Sequence, residues 1–154
     1  MMTLKEIIHA DIDPNKLDPR KLAQCQDLTT KLNIIRQAWG KPMLSTSGVR
    51  TWEDHVRIYK DLANKKQYPF IDGVFDLSKV PKSSKHLDII TDCAAVDIDD
   101  SDHELKNWLI KDPKGQVALE AANLFCENDN VGRVHFQNKA FASYKPGGSR
   151  WFKP

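Results

Sequence analysis

The chain has 154 residues, a length typical of one domain, and we expect a single domain over residues 1–154. Hydrophobic residues make up 40% and charged residues 29%, with aromatic residues along the whole length, which excludes a chain too polar to fold. The formal net charge of +2 is too small to indicate a nucleic-acid partner, which usually requires a strongly basic face.

The first part of the chain, residues 1–42, is expected to be mainly helical. In "LDPRKLAQCQDLTTKLNIIRQAWGKP" apolar side chains recur at helical spacing until Gly40 and Pro42 end the pattern. The apolar stripe consists of Leu22, Cys25, Leu28, Leu32 and Ile35. We therefore expect one helix that packs a single face on the core.

Residues 43–154 begin with a predicted strand, turn and helix. "PMLSTSGVR" predicts a short strand and a turn that carries Arg50. Thr51 can then cap a helix over "TWEDHVRIYKDLANKK", with Asp54 at the capping-box position. The next stretch, "QYPFIDGVFDLSKVPKSSK", is irregular and contains proline, glycine and serine, so we predict a long loop that leads to His86.

The remainder of the chain alternates short strands with helices. "CAAVDIDD" predicts a buried strand that ends in acids, followed by a helix that Ser101 caps, with Glu104 at the capping-box position. "GQVALEAANLFCEN" predicts another helix, and "VGRVHFQ" predicts a strand with Arg133, His135 and Gln137 on one face. This alternation indicates an α+β domain in which helices flank a small antiparallel sheet.

The cysteines and the N-terminus indicate where the chain is made. Cys25, Cys93 and Cys126 form no closely spaced pair, which favours apolar packing in a reducing cytoplasm over a disulfide framework. The start, "MMTLKEIIHADIDPNK", lacks the apolar core of a signal peptide, and no apolar run reaches the roughly 18 residues of a membrane span. We therefore expect synthesis in a reducing cytoplasm without a signal peptide, and no membrane span.

Several histidines and aromatic residues are expected to have ordinary structural roles. Three histidines stand among charged residues and are expected on the surface, and four aromatic residues are expected to anchor the core rather than to stack on a substrate. These residues are His9, His55 and His103, and Trp52, Tyr59, Trp151 and Phe152.

Two histidines and one aspartate could together bind a metal ion. A catalytic zinc site uses three protein ligands and leaves one position for water, because the metal acidifies that water and polarises a substrate carbonyl. His86, Asp97 and His135 meet this requirement. Asp97 follows apolar residues near the end of a buried strand, where an unpaired charge is costly, so a positive partner must lie beside it. The alternative is a metal-free arrangement in which Asp97 pairs with an arginine such as Arg133.

Three segments, "SGVR", "SKH…AAVD" and "RVHFQ", together resemble the M15 peptidases, the family of zinc D-Ala-D-Ala carboxypeptidases and phage endolysin peptidases. The resemblance covers roughly residues 43–154 and includes the ending "HFQNKAFASYKPGGSRWFKP". It implies a hedgehog/DD-peptidase-like fold and a zinc ion (Zn2+) held by His86, Asp97 and His135. It also implies hydrolysis of a stem or cross-link peptide bond in bacterial peptidoglycan.

The resemblance also implies substrate-binding residues. Arg50 of "SGVR" would bind the substrate's carboxylate or the developing oxyanion, and Ser84, the serine two residues before the first histidine ligand, would assist it. Gln137, on the same strand face as His135, completes the expected substrate-binding set. Taken without the resemblance, a lone arginine is more often a solvated salt-bridge partner.

Two departures from the family pattern concern the site itself. Ten residues separate His86 from Asp97, more than is usual in the family, so "LDIITDC" is expected to form a widened loop. Many members carry an acid three residues before the last histidine as the general base, but Gly132 stands there. Glu127 and Asp129 lie just upstream in "CENDNVGRVH" and are the two candidates for this base.

These observations lead to three hypotheses. The first is a monomeric zinc peptidase, an endopeptidase or a D,D- or L,D-carboxypeptidase, that a phage or prophage uses at the host wall. It would act after release from the cell or as part of a virion, with peptidoglycan and virion proteins as its partners. The alternative is a non-catalytic M15-like virion structural or wall-binding domain that lacks the usual acid. A small metal-free adaptor is a third possibility.

Overall fold

Five strands form one sheet in the computed structural model, which describes every residue from Met1 to Pro154. The sheet is mixed, and its strand order is β1-β2-β4-β3-β5. The strands are β1 (Ser45–Ser47), β2 (Ala95–Asp99), β3 (Phe125–Glu127), β4 (Arg133–Gln137) and β5 (Trp151–Phe152).

Five α-helices accompany the sheet, so the predicted α+β class is confirmed. They are α1 (Leu4–Ile7), α2 (Pro19–Trp39), α3 (Trp52–Asn64), α4 (Glu104–Lys111) and α5 (Pro113–Ala122), with single 3-10 turns at Pro14–Lys16 and Leu77–Lys79. No helix combines the length and the apolar character needed to cross a bilayer.

The prediction of an all-antiparallel sheet is wrong at one edge. β1, β2, β4 and β3 pair antiparallel, as short strands joined by turns usually do, but β5 pairs parallel with β3. Residues 138–150 connect β4 to β5 and return the chain along the sheet. β5 therefore lies at the sheet edge and runs in the same direction as β3. The last residues therefore form part of the sheet.

Helix α2 has the position that its apolar pattern predicts. Asp18 accepts a hydrogen bond from the backbone N–H of Arg20 at the start of the helix, and Gly40, with φ of 73°, ends it in the left-handed conformation. Its buried face packs into the main core with residues from β2 and β4. The buried residues of this face are Lys21, Cys25, Leu28, Leu32 and Ile35.

Two predicted helix boundaries are wrong. The helix predicted from "GQVALEAANLFCEN" ends at Ala122, because Asn123 adopts a left-handed conformation (φ 50°) and the next residues form β3. Helix α4 begins at Glu104 without a Ser101 cap. Instead, the buried carboxylate of Asp100 accepts hydrogen bonds from the N–H groups of Leu105 and Lys106. A charged acceptor at the first turn binds more strongly than a hydroxyl.

The predicted long loop is present between α3 and β2. It contains only the 3-10 turn at Leu77–Lys79, and a small apolar cluster of Ala63, Phe70 and Val80 supports it. Trp52 and Tyr59 pack on this cluster as expected for anchoring aromatics. The three cysteines are buried and free, which agrees with the packing role predicted for them.

Candidate metal centre

Three chain segments bring His86, Asp97 and His135 together. Asp97 on β2 lies directly opposite His135 on β4 in the antiparallel register, so both side chains project from the same face of the sheet. His86 comes from the end of the long loop, where the N–H of Arg50 donates to its carbonyl oxygen at 2.8 Å. All three ligand residues are buried.

The side-chain atoms of the three residues form a tight triangle. His135 Nδ1 lies 2.9 Å from Asp97 Oδ1 and 3.2 Å from His86 Nε2, and His86 Nε2 lies 3.5 Å from Asp97 Oδ1. Two ligands that each lie about 2.0–2.1 Å from a tetrahedral zinc ion are separated by about 3.3–3.4 Å. The observed triangle therefore has the dimensions of one face of a zinc coordination tetrahedron.

Gly48 fixes the orientation of the His86 ring. Nδ1 of His86 lies 3.0 Å from the Gly48 carbonyl oxygen, which can only accept, so Nδ1 carries the proton and Nε2 presents its lone pair. Such a backbone acceptor behind the ring is the usual partner of a metal-binding histidine. Gly48 approaches α1 closely, because an added Cβ would lie 2.1 Å from the Ile7 carbonyl oxygen.

The three facing side-chain atoms offer more lone pairs than protons, an arrangement that suits a bound cation. His86 Nε2 and Asp97 Oδ1 both offer lone pairs toward His135 Nδ1, which can donate only one proton. Burial lowers the pKa of His86 to about 4, so this ring is neutral near pH 7. Burial alone would raise the pKa of Asp97, but the neighbouring His86 and His135 outweigh it and hold that pKa well below its usual range. Two imidazoles and one carboxylate could thus hold a metal ion.

The second oxygen of Asp97 faces an arginine. Arg133 Nη1 lies 3.5 Å from Asp97 Oδ2, and Arg133 Nη2 lies 3.7 Å from Asp129 Oδ2. Arg133 is partly exposed, so this pairing is screened by solvent and contributes little stability. It leaves Asp97 Oδ1 directed at the histidines. The Asp97–Arg133 pair, predicted as the metal-free alternative, therefore uses Oδ2 of Asp97, whereas the triangle uses Oδ1.

Glu127 lies in the same row of the sheet as the triangle. The register of β3 and β4 pairs Phe125 with Gln137 and Cys126 with Phe136, and its continuation places Glu127 opposite His135. Phe152 pairs with Glu127 on the other side, and its ring lies edge-on to His135 at 6.3 Å between centroids. Burial raises the pKa of Glu127, while the proximity of His135 opposes the rise.

Asp129, the other candidate for the general base, makes different contacts. Its carboxylate pairs with Arg133, and its backbone carbonyl accepts a hydrogen bond from Lys106 Nζ. One carboxylate oxygen of Asp129 is buried without a hydrogen-bond partner. The structure therefore distinguishes the two acids, since Glu127 borders His135 and Asp129 borders Arg133.

Arg50 lies at the other end of the row. Ser47 is the register partner of Asp97, and Arg50 Nη1 donates a hydrogen bond to the Ser47 hydroxyl. Burial lowers the pKa of Arg50 from its usual value, and the Asp97 carboxylate opposes that shift. A guanidinium so placed can bind an anionic group next to the triangle.

The two other residues expected to bind substrate have structural contacts. The Ser84 hydroxyl accepts a hydrogen bond from the N–H of His86 at 3.4 Å and so supports the backbone of that residue. Gln137 is buried, and its side-chain amide donates to the Lys139 carbonyl oxygen. Gln137 shares a face with His135 two residues along β4, and its role toward substrate stays a prediction.

The expectation that His55 lies on the surface is wrong, because its side chain is completely buried. Its Nε2–H donates to the Pro81 carbonyl oxygen at 2.9 Å, which leaves Nδ1 to accept a hydrogen bond from Arg50 Nε at 3.0 Å. His55 thus links the long loop to Arg50. The helical spacing of Trp52, Val56 and Tyr59 places His55 on the buried face of α3, a signal that the charged residues around it conceal. His103 is exposed and His9 half-buried.

Comparison with protein-family models, with curated proteins and with solved structures finds no match for this chain.

Proposed function

We propose that this chain is a zinc-dependent peptidase of the M15 type, with a hedgehog/DD-peptidase-like fold, that hydrolyses a peptide bond of bacterial peptidoglycan. The observation that carries the proposal is the buried triangle of His86, Asp97 and His135, whose dimensions match one face of a zinc tetrahedron. The row of Arg50, Ser47, Asp97, His135 and Glu127 supplies the groups that amide hydrolysis requires on both sides of that triangle.

Three residues of the chain would hold the metal. His86 Nε2, Asp97 Oδ1 and the ring of His135 are the donor groups, and a set of two imidazoles and one carboxylate is a common zinc ligand set in peptidases. Zinc bound there would supply an acidified water molecule and a polarised substrate carbonyl.

Glu127 is the general base in this proposal. Its carboxylate borders His135 in the neighbouring strand, and its raised pKa makes it a better proton acceptor than a solvated glutamate. After it takes a proton from the attacking water, the same carboxyl group can give that proton to the leaving amine. Glu127 thereby supplies from β3 the acid that many members of the family carry at the position of Gly132.

Arg50 is the electrostatic partner of the substrate. Hydrogen bonds to Ser47 and His55 hold its guanidinium in a defined orientation beside the Asp97 end of the row. A preorganised guanidinium stabilises an oxyanion or a peptide carboxylate without the cost of reorganisation during the reaction. Ser84 acts behind His86 in this scheme rather than on the substrate, and Gln137 borders the site from β4.

The cellular role that we propose is lysis or entry of a phage or prophage at the host wall, with peptidoglycan as the main partner. A second candidate is a non-catalytic M15-like domain in a virion. Gly132, at the position of the usual acid, is the observation that favours it. The two candidates differ in hydrolysis and not in metal content.

The test is metal content by mass spectrometry of protein purified without chelator, together with release of soluble fragments from purified peptidoglycan. We expect about one zinc per chain, its loss in His86→Ala and Asp97→Ala, and fragment release only with zinc. Asp99→Ala, an exposed acid on the same strand, and His103→Ala, an exposed histidine, are the controls that should keep both properties. Zinc without fragments would favour the non-catalytic domain, and protein without zinc would refute the proposal.

A further inference from the structure

Lys21 is a fully buried lysine in the middle of the apolar face of α2. It lies one helical turn before Cys25, on the stripe that continues to Leu28 and packs into the main core. Lysine is among the residues least often found completely buried, because removing its charge from water is costly unless partners compensate for it. A buried lysine at a core position therefore needs a specific explanation.

The ammonium group of Lys21 binds two backbone carbonyls of the long loop. Nζ donates to the carbonyl oxygen of Cys93 at 2.8 Å and to that of Lys85 at 3.1 Å. No carboxylate lies within salt-bridge distance of this ammonium group. Burial lowers its pKa, while nearby Cys25, Cys93, Asp88 and Asp92 oppose that shift. The lysine is thus bound by the loop backbone and not by a side-chain ion pair.

These two carbonyls mark the base of the loop that separates the first two candidate ligands. Lys85 immediately precedes His86, and Cys93 lies two residues before the start of β2, which carries Asp97. The segment between them contains the "LDIITDC" stretch that widens the spacing between His86 and Asp97. One ammonium group therefore bridges the backbone on both sides of the widened loop.

We propose that Lys21 is a positioning residue for the metal centre, because its ammonium group closes the base of the Lys85–Cys93 loop and so sets the separation of His86 from Asp97. This inference rests on the proposed metal site. Lys21 donates to main-chain atoms only, one of them the carbonyl oxygen of the residue directly before His86. Its effect reaches the metal through the backbone of His86, in the way that outer hydrogen-bond partners of metal ligands act.

The experiment is zinc affinity of Lys21→Met, measured by competition with a chelating indicator at pH 7. Methionine keeps most of the buried volume but donates no hydrogen bond, so the loop base is released. We expect zinc to bind 10–100-fold more weakly, the range typical for loss of an outer partner of a ligand. Leu28→Ala is the matched control, since it creates a cavity on the same helix face without touching the loop, and its zinc affinity should stay within about 3-fold of the wild type.

A second measurement separates this inference from the proposed function. In zinc-free protein, the 15N-resolved imidazole signals of His86 should show one tautomer, with the proton on Nδ1 facing Gly48. We expect Lys21→Met to broaden these signals or mix the tautomers, and Leu28→Ala to leave them unchanged. Wild-type protein that binds no zinc refutes the metal site. Wild-type zinc affinity in Lys21→Met, or an equal loss of affinity in Leu28→Ala, refutes the positioning role alone.

A third variant covers the case in which Lys21→Met does not fold. Lys21→Gln keeps two N–H donors on a shorter chain, so it can fill the site but cannot reach both carbonyls at the observed distances. We expect it to fold and to lose at least 3-fold in zinc affinity. Affinity equal to the wild type would overturn the inference.

Discussion

Glu127 and His135 face each other across neighbouring strands, at the position to which the register of β3 and β4 continues. Directly opposite residues in an antiparallel pair have Cβ atoms about 4.5–5.5 Å apart, so a carboxylate at position 127 lies within reach of whatever His135 binds. This relationship assigns the two candidate acids to different tasks. In the proposed mechanism Glu127 acts at the reacting centre, whereas Asp129 pairs with Arg133.

The first prediction concerns Glu127. Glu127→Gln keeps the shape of the side chain but removes the proton acceptor, so we expect hydrolysis of peptidoglycan peptides to fall by about 10²–10⁴-fold, the usual contribution of a general base. Zinc content should be unchanged, because Glu127 is not one of the three ligands. The measurement is fragment release beside metal analysis. Glu120→Gln, at an exposed position on α5, should behave like the wild type.

Asp129→Asn provides the contrasting result. Because Asp129 pairs with Arg133 rather than with His135, we expect activity to fall by less than about 10-fold. A larger loss in Asp129→Asn than in Glu127→Gln would exchange the roles assigned to the two acids.

The second prediction concerns Arg50. Lysine retains the charge but cannot reproduce the guanidinium's simultaneous hydrogen bonds to Ser47 and His55, so we expect Arg50→Lys to lower turnover by about 10²–10³-fold at normal zinc content. Arg57→Lys is the matched control, since Arg57 is exposed on α3 and pairs only with Asp54. Normal turnover in Arg50→Lys would show that a positive charge alone suffices there.

The third prediction concerns removal of the metal. Zinc that binds the folded chain and not the unfolded one stabilises it by about 4 kcal/mol when free zinc is 1,000 times the dissociation constant. We therefore expect a chelator to lower the unfolding temperature of the wild type and to have no effect on His86→Ala. Differential scanning calorimetry with and without zinc measures the shift. An equal shift in His86→Ala would place the binding of zinc elsewhere in the chain.

The fourth prediction concerns His55 and pH. Burial, followed by the charge of Arg50, lowers the pKa of His55 from its ordinary value of 6.5, so the unfolded chain binds a proton at this residue before the folded chain does. The resulting stability is fully present above pH 6.5 and is lost as the pH falls below it toward the lower folded-state value. The slope within this window is at most about 1.4 kcal/mol per pH unit.

Urea unfolding of zinc-free wild type and His55→Phe tests this difference at pH 7.5, 6.5 and 5.5. The stability of the wild type relative to the variant should be greatest at pH 7.5 and should decrease toward pH 5.5, because phenylalanine has no proton to gain. The other histidines are common to both proteins and cancel in the comparison. A difference that stays constant with pH would show that His55 keeps its ordinary pKa.

The strands and residues of the site could be predicted because local patterns encode them. "CAAVDIDD" and "RVHFQ" have the apolar content and alternation of buried strands, and each carries a polar residue that needs a partner. The register that places Asp97 opposite His135 could not be predicted, since it depends on how two strands meet that are separated by 33 residues, Asp100 to Gly132. The parallel pairing of β5 has the same origin, because a two-residue strand carries no pattern of its own.

Two buried polar residues show what helical spacing can and cannot predict. Lys21 continues the spacing of Cys25, Leu28 and Leu32, so the stripe does contain a signal for its burial, although charge argues against it. His55 also lies on a helical stripe, beside Trp52 and Tyr59 on the buried face of α3, but its hydrogen bond to Pro81 depends on the long loop that folds over this helix. Contacts made by an irregular loop depend on the tertiary structure and leave no periodic trace in the sequence.

The close approach of Gly48 to Ile7 has a consequence for how the protein can be divided. The Gly48 carbonyl orients the His86 ring, and the next residue, Val49, donates its N–H to the Ile7 carbonyl at 2.7 Å. Because Lys21 also binds the loop, residues 1–42 support the candidate metal site although they carry none of its candidate ligands. A fragment that begins at residue 43 would keep every motif residue but lose the contacts that hold these residues in place. We therefore expect residues 43–154 to be functional in an engineered protein only when residues 1–42 are included.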